Sequence, residues 1–204
     1  MKELGLTLVL AVVAADASAE GVQLTERPDH VTEARAVIEA SPSEVYALVT
    51  SYASWPTFLS DIRAVRVESG GRHDARVTFR SRALRHTVTV VFANDPERRI
   101  SFRGVDGPPG GRARGAYQLI PLDGGRRTQV IATLFMDVVG APALFVRDAK
   151  IGEMRQAKLR SDLEDVARYF APRGESPQAE GGGSAVSSSP NSQRRPRRRS
   201  SMMR

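Results

Sequence analysis

Between residues 143 and 170 the chain repeats apolar side chains at helical spacing for far longer than a connector requires. Leu144, Ile151, Met154, Leu159, Leu163, Val166 and Phe170 share one broad side, while Arg147, Lys150, Glu153, Arg160, Glu164 and Arg168 stand largely opposite. This is the pattern of an amphipathic helix. Pro142 suits its first position, Lys158 with Asp162 and Glu164 with Arg168 are opposite charges four residues apart, and Pro172 and Gly174 end it. At the usual rise it would be roughly 40 Å long. An apolar stripe of that length needs a matching surface to cover it, and what precedes it reads mainly as strand. The expected architecture is a sheet wrapped around one helix.

The two ends of the 204 residues differ from the middle. Lys2, the apolar run 4–15, Asp16 and the small residues Ala17-Ser18-Ala19 follow the order of a secretory signal peptide. About twelve apolar residues are too few to span a bilayer, so the reading is export, periplasmic or extracellular, with cleavage near Ala19. Residues 20–32 are expected to be a mobile lead-in and residues 33–172 the domain. Residues 173–204 are poor in large apolar side chains and rich in Gly, Ser, Pro and Arg, the composition of a disordered tail. The domain is large enough to fold without disulfides or metal, and the chain has no cysteine. Its charge is nearly balanced, whereas the tail carries Arg194, Arg195, Arg197, Arg198 and Arg199. That block either meets an anionic surface or stays solvated. It lacks the interleaved aromatics of a base-stacking platform, so no specific nucleic-acid partner is expected.

Within the domain, Ser41-Pro42-Ser43-Glu44 is a capping box with proline in place, opening a helix after a first strand at residues 34–40. Trp55-Pro56 predicts a second short helix. Six runs follow, separated by turn signals such as Gly70-Gly71, Asn94-Asp95-Pro96 and Asp123-Gly124-Gly125. In residues 75–83, Ala75, Val77, Phe79 and Ser81 alternate with Arg76, Thr78, Arg80 and Arg82, so one face is buried and one is wet. The order is strand, two short helices, six antiparallel strands, long helix.

The stretch 40–49 (Ala-Ser-Pro-Ser-Glu-Val-Tyr-Ala-Leu-Val), Tyr52, Trp55-Pro56-Thr57-Phe58, Gly115-Ala116-Tyr117-Gln118-Leu119, residues 125–130 and Pro142 together resemble the START-like helix-grip (SRPBCC) superfamily. The likeness covers about residues 33–170 and is nearest the polyketide cyclase/dehydrase and coenzyme Q-binding branch. It implies a strongly curved antiparallel sheet gripping the C-terminal helix, which with the element order above makes an α+β fold of seven strands and two short helices after strand 1. It also implies an apolar cavity between sheet and helix for a hydrophobic ligand such as a lipid, a quinone or a polyketide-like molecule. It brings no shared catalytic residue.

The residues themselves offer little chemistry. His30, His73 and His86 lie on separate segments without metal-ligand spacing, and Gly-x-Ser-x-Gly, P-loop and dinucleotide motifs are absent, so neither a metal nor a cofactor is expected. His86 shares the alternation of Val88, Val90 and Phe92, which points it inward, as a partner for a ligand oxygen or as a hydrogen-bonded histidine at a strand start. Tyr117, on a face with Leu119, would offer a hydroxyl to a ligand or sit at the rim. Asp137 suits a turn or cap, and Arg155 either a ligand acid or a salt bridge to the sheet. Phe58, Phe79, Phe135, Ile151 and Met154 are the apolar lining expected of an adaptable cavity, and also of any core. Three functions follow: a monomeric carrier of a hydrophobic small molecule, a cyclase/dehydratase-type enzyme using the same cavity, or an interaction protein docked by its basic tail.

Overall fold

Alternation of apolar and polar residues along successive runs builds one antiparallel sheet, seen in a computed structural model that describes residues 21–71, 73–83, 86–140 and 147–171. Its strands are β1 (Gln23–Glu26), β2 (Val31–Ile38), β3 (Ile62–Gly70), β4 (Asp74–Ser81), β5 (Thr87–Asp95), β6 (Arg99–Asp106), β7 (Gly111–Leu122) and β8 (Arg127–Val138). They are ordered β1-β2-β8-β7-β6-β5-β4-β3. The pairing register shifts at Ile62/Ala64, Val67/Ser69 and Thr89/Val90, irregularities of the kind that bend strands and raise local twist. The sheet is curved and grips a helix, as expected.

The strand count differs from expectation. Among the described residues there are eight strands rather than seven, because β1 lies in the segment expected to be mobile and pairs with β2, Gln23 opposite Arg35 through Glu26 opposite Thr32. The first expected strand, residues 34–40, is β2 and begins earlier, at Val31. The expected leader and basic tail lie outside the described residues, as do Pro142 and the first residues of the expected long helix.

Helix α1 (Pro42–Thr50) starts as its sequence dictates. The Ser41 hydroxyl accepts from the Glu44 amide at 3.3 Å, and the Glu44 carboxylate accepts from the Ser41 amide at 2.9 Å. A 3-10 turn (Tyr52–Ser54) leads into α2 (Trp55–Phe58), which presents Trp55 to the core while its indole N–H donates to the Val49 carbonyl at 2.9 Å. The long helix α3 (Asp148–Phe170) begins later than expected, because Arg147 is extended (φ −81°, ψ 139°) and Asp148 takes the first turn. Its 23 residues span about 34 Å. Ile151, Leu159, Leu163 and Val166 are buried against the sheet, with α3 lying over β2 and β8. Burying each such side chain contributes about 1.5–3 kcal/mol. The expected Glu164–Arg168 pair is not formed: Glu164 is exposed and Arg168 bonds Asp165 at 2.6 Å instead.

An aromatic chain ties α2 to the sheet. Trp55 meets Tyr52, Phe79 and Phe92 at centroid separations of 5.3, 5.8 and 5.6 Å. The Tyr52 hydroxyl, buried with its ring, donates to Asn94 Oδ1 at 3.1 Å, and burial pushes its pKa up to about 12. Its folded-state value lies above the ordinary one, so the neutral phenol's contribution is complete below about pH 10 and is lost as pH rises through about 12. Asn94→Ala should cost about 1–2 kcal/mol, since it strands a buried hydroxyl. Urea unfolding checks this, and a cost near zero would mean that the hydroxyl finds another partner.

Candidate functional site

The inner face of the sheet and α3 do not close on each other completely. Between them is a cavity of about 390 Å³, a size suited to a small-molecule ligand. Its apolar walls come from every layer of the fold: Val45 and Val49 of α1, Trp55 and Phe58 of α2, Phe79, Val88, Val90, Phe92, Leu119, Val130 and Leu134 of the sheet, and Met154, Leu159 and Val166 of α3. The strands deliver them because inward positions recur every second residue. Ala83, just after β4, and Ala157 of α3 line the cavity and are also exposed, so the cavity wall reaches the surface at these two residues.

Polar lining is gathered on one wall. The Tyr117 hydroxyl donates to Asp162 Oδ2 at 3.2 Å, and Lys158 Nζ donates to Asp162 Oδ1 at 2.6 Å. Lys158 Nζ also lies 3.7 Å from Asp61 Oδ2. Asp61 in turn accepts from the Ser81 hydroxyl at 2.9 and 3.0 Å and from the backbone amides of Arg82 and Ala83 at 3.1 and 3.0 Å. Ser161, beside Asp162, shares a hydrogen bond with Ser60 at 3.2 Å. This wall joins α3, β7, the start of β3 and the end of β4 in one network.

Burial governs its ionisation. It pushes the Asp162 carboxyl above the usual carboxylate range, against the pull of the Lys158 ammonium. Burial also works to lower the Lys158 pKa, but Asp162, Asp61 and Asp165 outweigh it and hold the ammonium above the ordinary lysine value. The Tyr117 phenol is driven well up by burial and by the adjacent Asp162. A buried carboxylate hydrogen-bonded to a phenol and an ammonium can orient a polar group or exchange a proton with one.

The expected site residues divide into two groups. Phe58, Phe79, Val88, Tyr117, Leu119 and Met154 line this cavity together. His86 does not: it is exposed and precedes the first residue of β5, so the alternation that would turn it inward has not begun. Phe135 falls on the other face of β8 from Leu134 and Met136, where the Arg114 guanidinium lies 4.4 Å from its ring centroid. With Ile151 and Arg155 it borders a separate cleft of about 210 Å³, shared with His30, Asp137 and Asp148. Arg155 is held there by structure, through Thr32 Oγ1 at 3.1 Å, the Met136 carbonyl at 3.1 Å and the Glu26 carboxylate. Asp137 accepts from the Val138 amide at 2.7 Å, a local role. Among the described residues, no three His, Asp or Glu side chains cluster as metal ligands, and no helix is long and apolar enough to cross a membrane.

Lys158, Asp162 and Asp61 were not expected in the site. The first two were visible as a charge pair, but charge pairs on helices usually face water. The available signal was position: Lys158 and Asp162 directly precede Leu159 and Leu163 of the apolar stripe.

Comparison with known proteins agrees with this architecture. Among solved structures the chain is similar to TTHA0849 from Thermus thermophilus, at 19% identity over 69% of this chain and 96% of that one, with a TM-score of 0.60. It is similar to the Zhui aromatase/cyclase from a Streptomyces species, at 20% identity over 75% and 98% of the two chains, with a TM-score of 0.59. A START superfamily protein from Mycobacterium smegmatis is 12% identical over 69% and 97%, with a TM-score of 0.60. At these identities the likeness is one of fold. No curated protein sequence matches significantly. The profile of the family described as polyketide cyclase / dehydrase and lipid transport matches residues 29–171, well over half of the chain, and the protein therefore belongs to that family, within the START-like (SRPBCC) superfamily.

Proposed function

We propose that this protein is a monomeric carrier that holds a hydrophobic small molecule, with an apolar body and one polar group, in the cavity between sheet and α3. The observation that carries the reading is the segregation of the lining: apolar walls on all sides and one polar wall formed by Tyr117, Asp162, Lys158, Asp61 and Ser81. Such a surface matches an amphipathic guest better than it matches water. The leader-like residues 1–19 extend the proposal to a protein that works after export, which the mass of the mature N-terminus tests.

The binding test uses Nile red, a neutral apolar dye, titrated into the full chain. The double variant Ala113→Trp/Met154→Trp places two indoles in the cavity and should weaken dye binding about tenfold or more by excluding the guest. Native mass spectrometry of the purified wild type should show an apolar adduct that the variant lacks. Unchanged dye affinity in a folded double variant would move the binding site elsewhere.

A second reading, a cyclase/dehydratase-type enzyme, is favoured by the Tyr117–Asp162–Lys158 network alone. In that reading Asp162 exchanges a proton with the bound chain while the cavity fixes its conformation. Asp162→Asn would then keep ligand binding and end turnover.

A further inference from the structure

The polar wall has a charge and hydrogen-bond balance that selects among head groups. Lys158 brings one positive charge, and Asp162 and Asp61 bring two negative ones at 2.6 and 3.7 Å. A ligand carboxylate entering here would meet two carboxylates and a single ammonium already engaged by one of them. A ligand ammonium would be brought against Lys158. The first takes the wall's formal charge from −1 to −2, and the second brings it to zero only by setting a second ammonium beside Lys158, where like charges disfavour each other.

The unused hydrogen-bonding capacity points the same way. Among the described residues, Asp162 accepts one bond at each oxygen, from Lys158 and from Tyr117, which leaves further lone pairs on both. Of the three ammonium hydrogens of Lys158, one is directed to Asp162; Asp61, at 3.7 Å, is at ion-pair distance but beyond a hydrogen bond. A donor is wanted beside Asp162 and an acceptor beside Lys158, within the reach of one group. A hydroxyl is both and carries no charge.

We infer that the Asp61–Lys158–Asp162 wall is a head-group filter that takes a neutral hydroxyl, alcohol or phenol, and discriminates against carboxylate and ammonium amphiphiles of the same chain length. The hydroxyl donates to Asp162 and accepts from Lys158, with its apolar body against the aromatic and aliphatic walls. This rests on the cavity being the ligand site.

The experiment compares decanol, decanoate and decylammonium on the full chain at neutral pH, by calorimetry and by the emission of Trp55, the only tryptophan and a cavity-lining residue. Decanol should bind about tenfold or more tighter than either ion. Lys158→Met keeps much of the apolar stem and leaves two carboxylates, so decylammonium should overtake decanol in that variant, a reversal that loss of packing alone would not produce. Decanoate or decylammonium equalling decanol on the wild type overturns the filter, whether or not the variant folds. If all three fail while Nile red binds, the filter is overturned and the cavity reading stands. If Nile red fails as well, both fall.

Discussion

Gly115→Ala should cost about 3 kcal/mol or more of folding stability, the largest effect expected of a single methyl group here. Gly115 lies in β7, opposite Phe102 of β6 and Leu134 of β8. A Cβ built on it would stand 2.0 Å from the Thr133 carbonyl oxygen, 2.6 Å from Phe102 Cζ and 3.0 Å from Phe102 Cε1. The ring can rotate away, but the carbonyl belongs to β8 and can retreat only by opening the ladder between β7 and β8. Turning Phe102 also disturbs its contact with Tyr117, whose ring centroid is 5.9 Å away, so ligand affinity should fall along with stability. The control is Gly124→Ala, where nothing lies within 4 Å and the only penalty is the positive φ of 68°. That backbone penalty is about 1 kcal/mol. Chemical denaturation of the two variants side by side decides the matter: equal losses would mean that the β7–β8 ladder yields easily at Gly115.

What was legible in the sequence was what local periodicity controls. The capping box at Ser41 and Glu44 needs only residues three apart, and both of its hydrogen bonds are formed. The apolar stripe of α3 and the inward positions of β4, β5 and β7 are likewise local patterns, and they brought Phe79, Val88, Tyr117, Leu119 and Met154 to one cavity, where Phe58 of α2 joins them. The errors arise where local pattern ends. Alternation extended one residue past the start of β5 turned His86 inward when it is exposed. β1 is short and largely exposed, Gln-Leu-Thr-Glu, and nothing in those four residues announces a strand. The polar wall was missed because burying charge is favourable only when partners exist, and Asp61 meets Lys158 from nearly a hundred positions away.

The same long-range logic makes Arg155 the second site of large expected effect. Its side chain is 4% exposed and makes three bonds at once: to Thr32 Oγ1, to the Met136 carbonyl and to Glu26. Thr32 hydrogen-bonds Glu26 as well, so the group clips β1, β2 and β8 to α3. Arg155→Ala removes the guanidinium that joins the cluster, strands the Met136 carbonyl and leaves a void, and should cost about 3–5 kcal/mol. Glu26 is 36% exposed, so Glu26→Gln should cost less, about 1–2 kcal/mol. Burial raises the Glu26 pKa, but the Thr32 hydroxyl and the Arg155 guanidinium outweigh it and hold the carboxyl below its ordinary value. Its contribution is therefore complete above the unfolded value of 4.5 and is lost as pH falls through the lower folded one. Thermal unfolding from neutral pH to below about pH 4 should thus decline more steeply for the wild type than for Glu26→Gln. Parallel declines would assign β1 no electrostatic anchor. Proteolysis gives an independent readout, because weakening its clip to α3 leaves β1 held mainly by its pairing with β2 and the partial burial of Leu24. Cleavage near residues 21–30 should then precede global unfolding in the Glu26→Gln protein and coincide with it in the wild type.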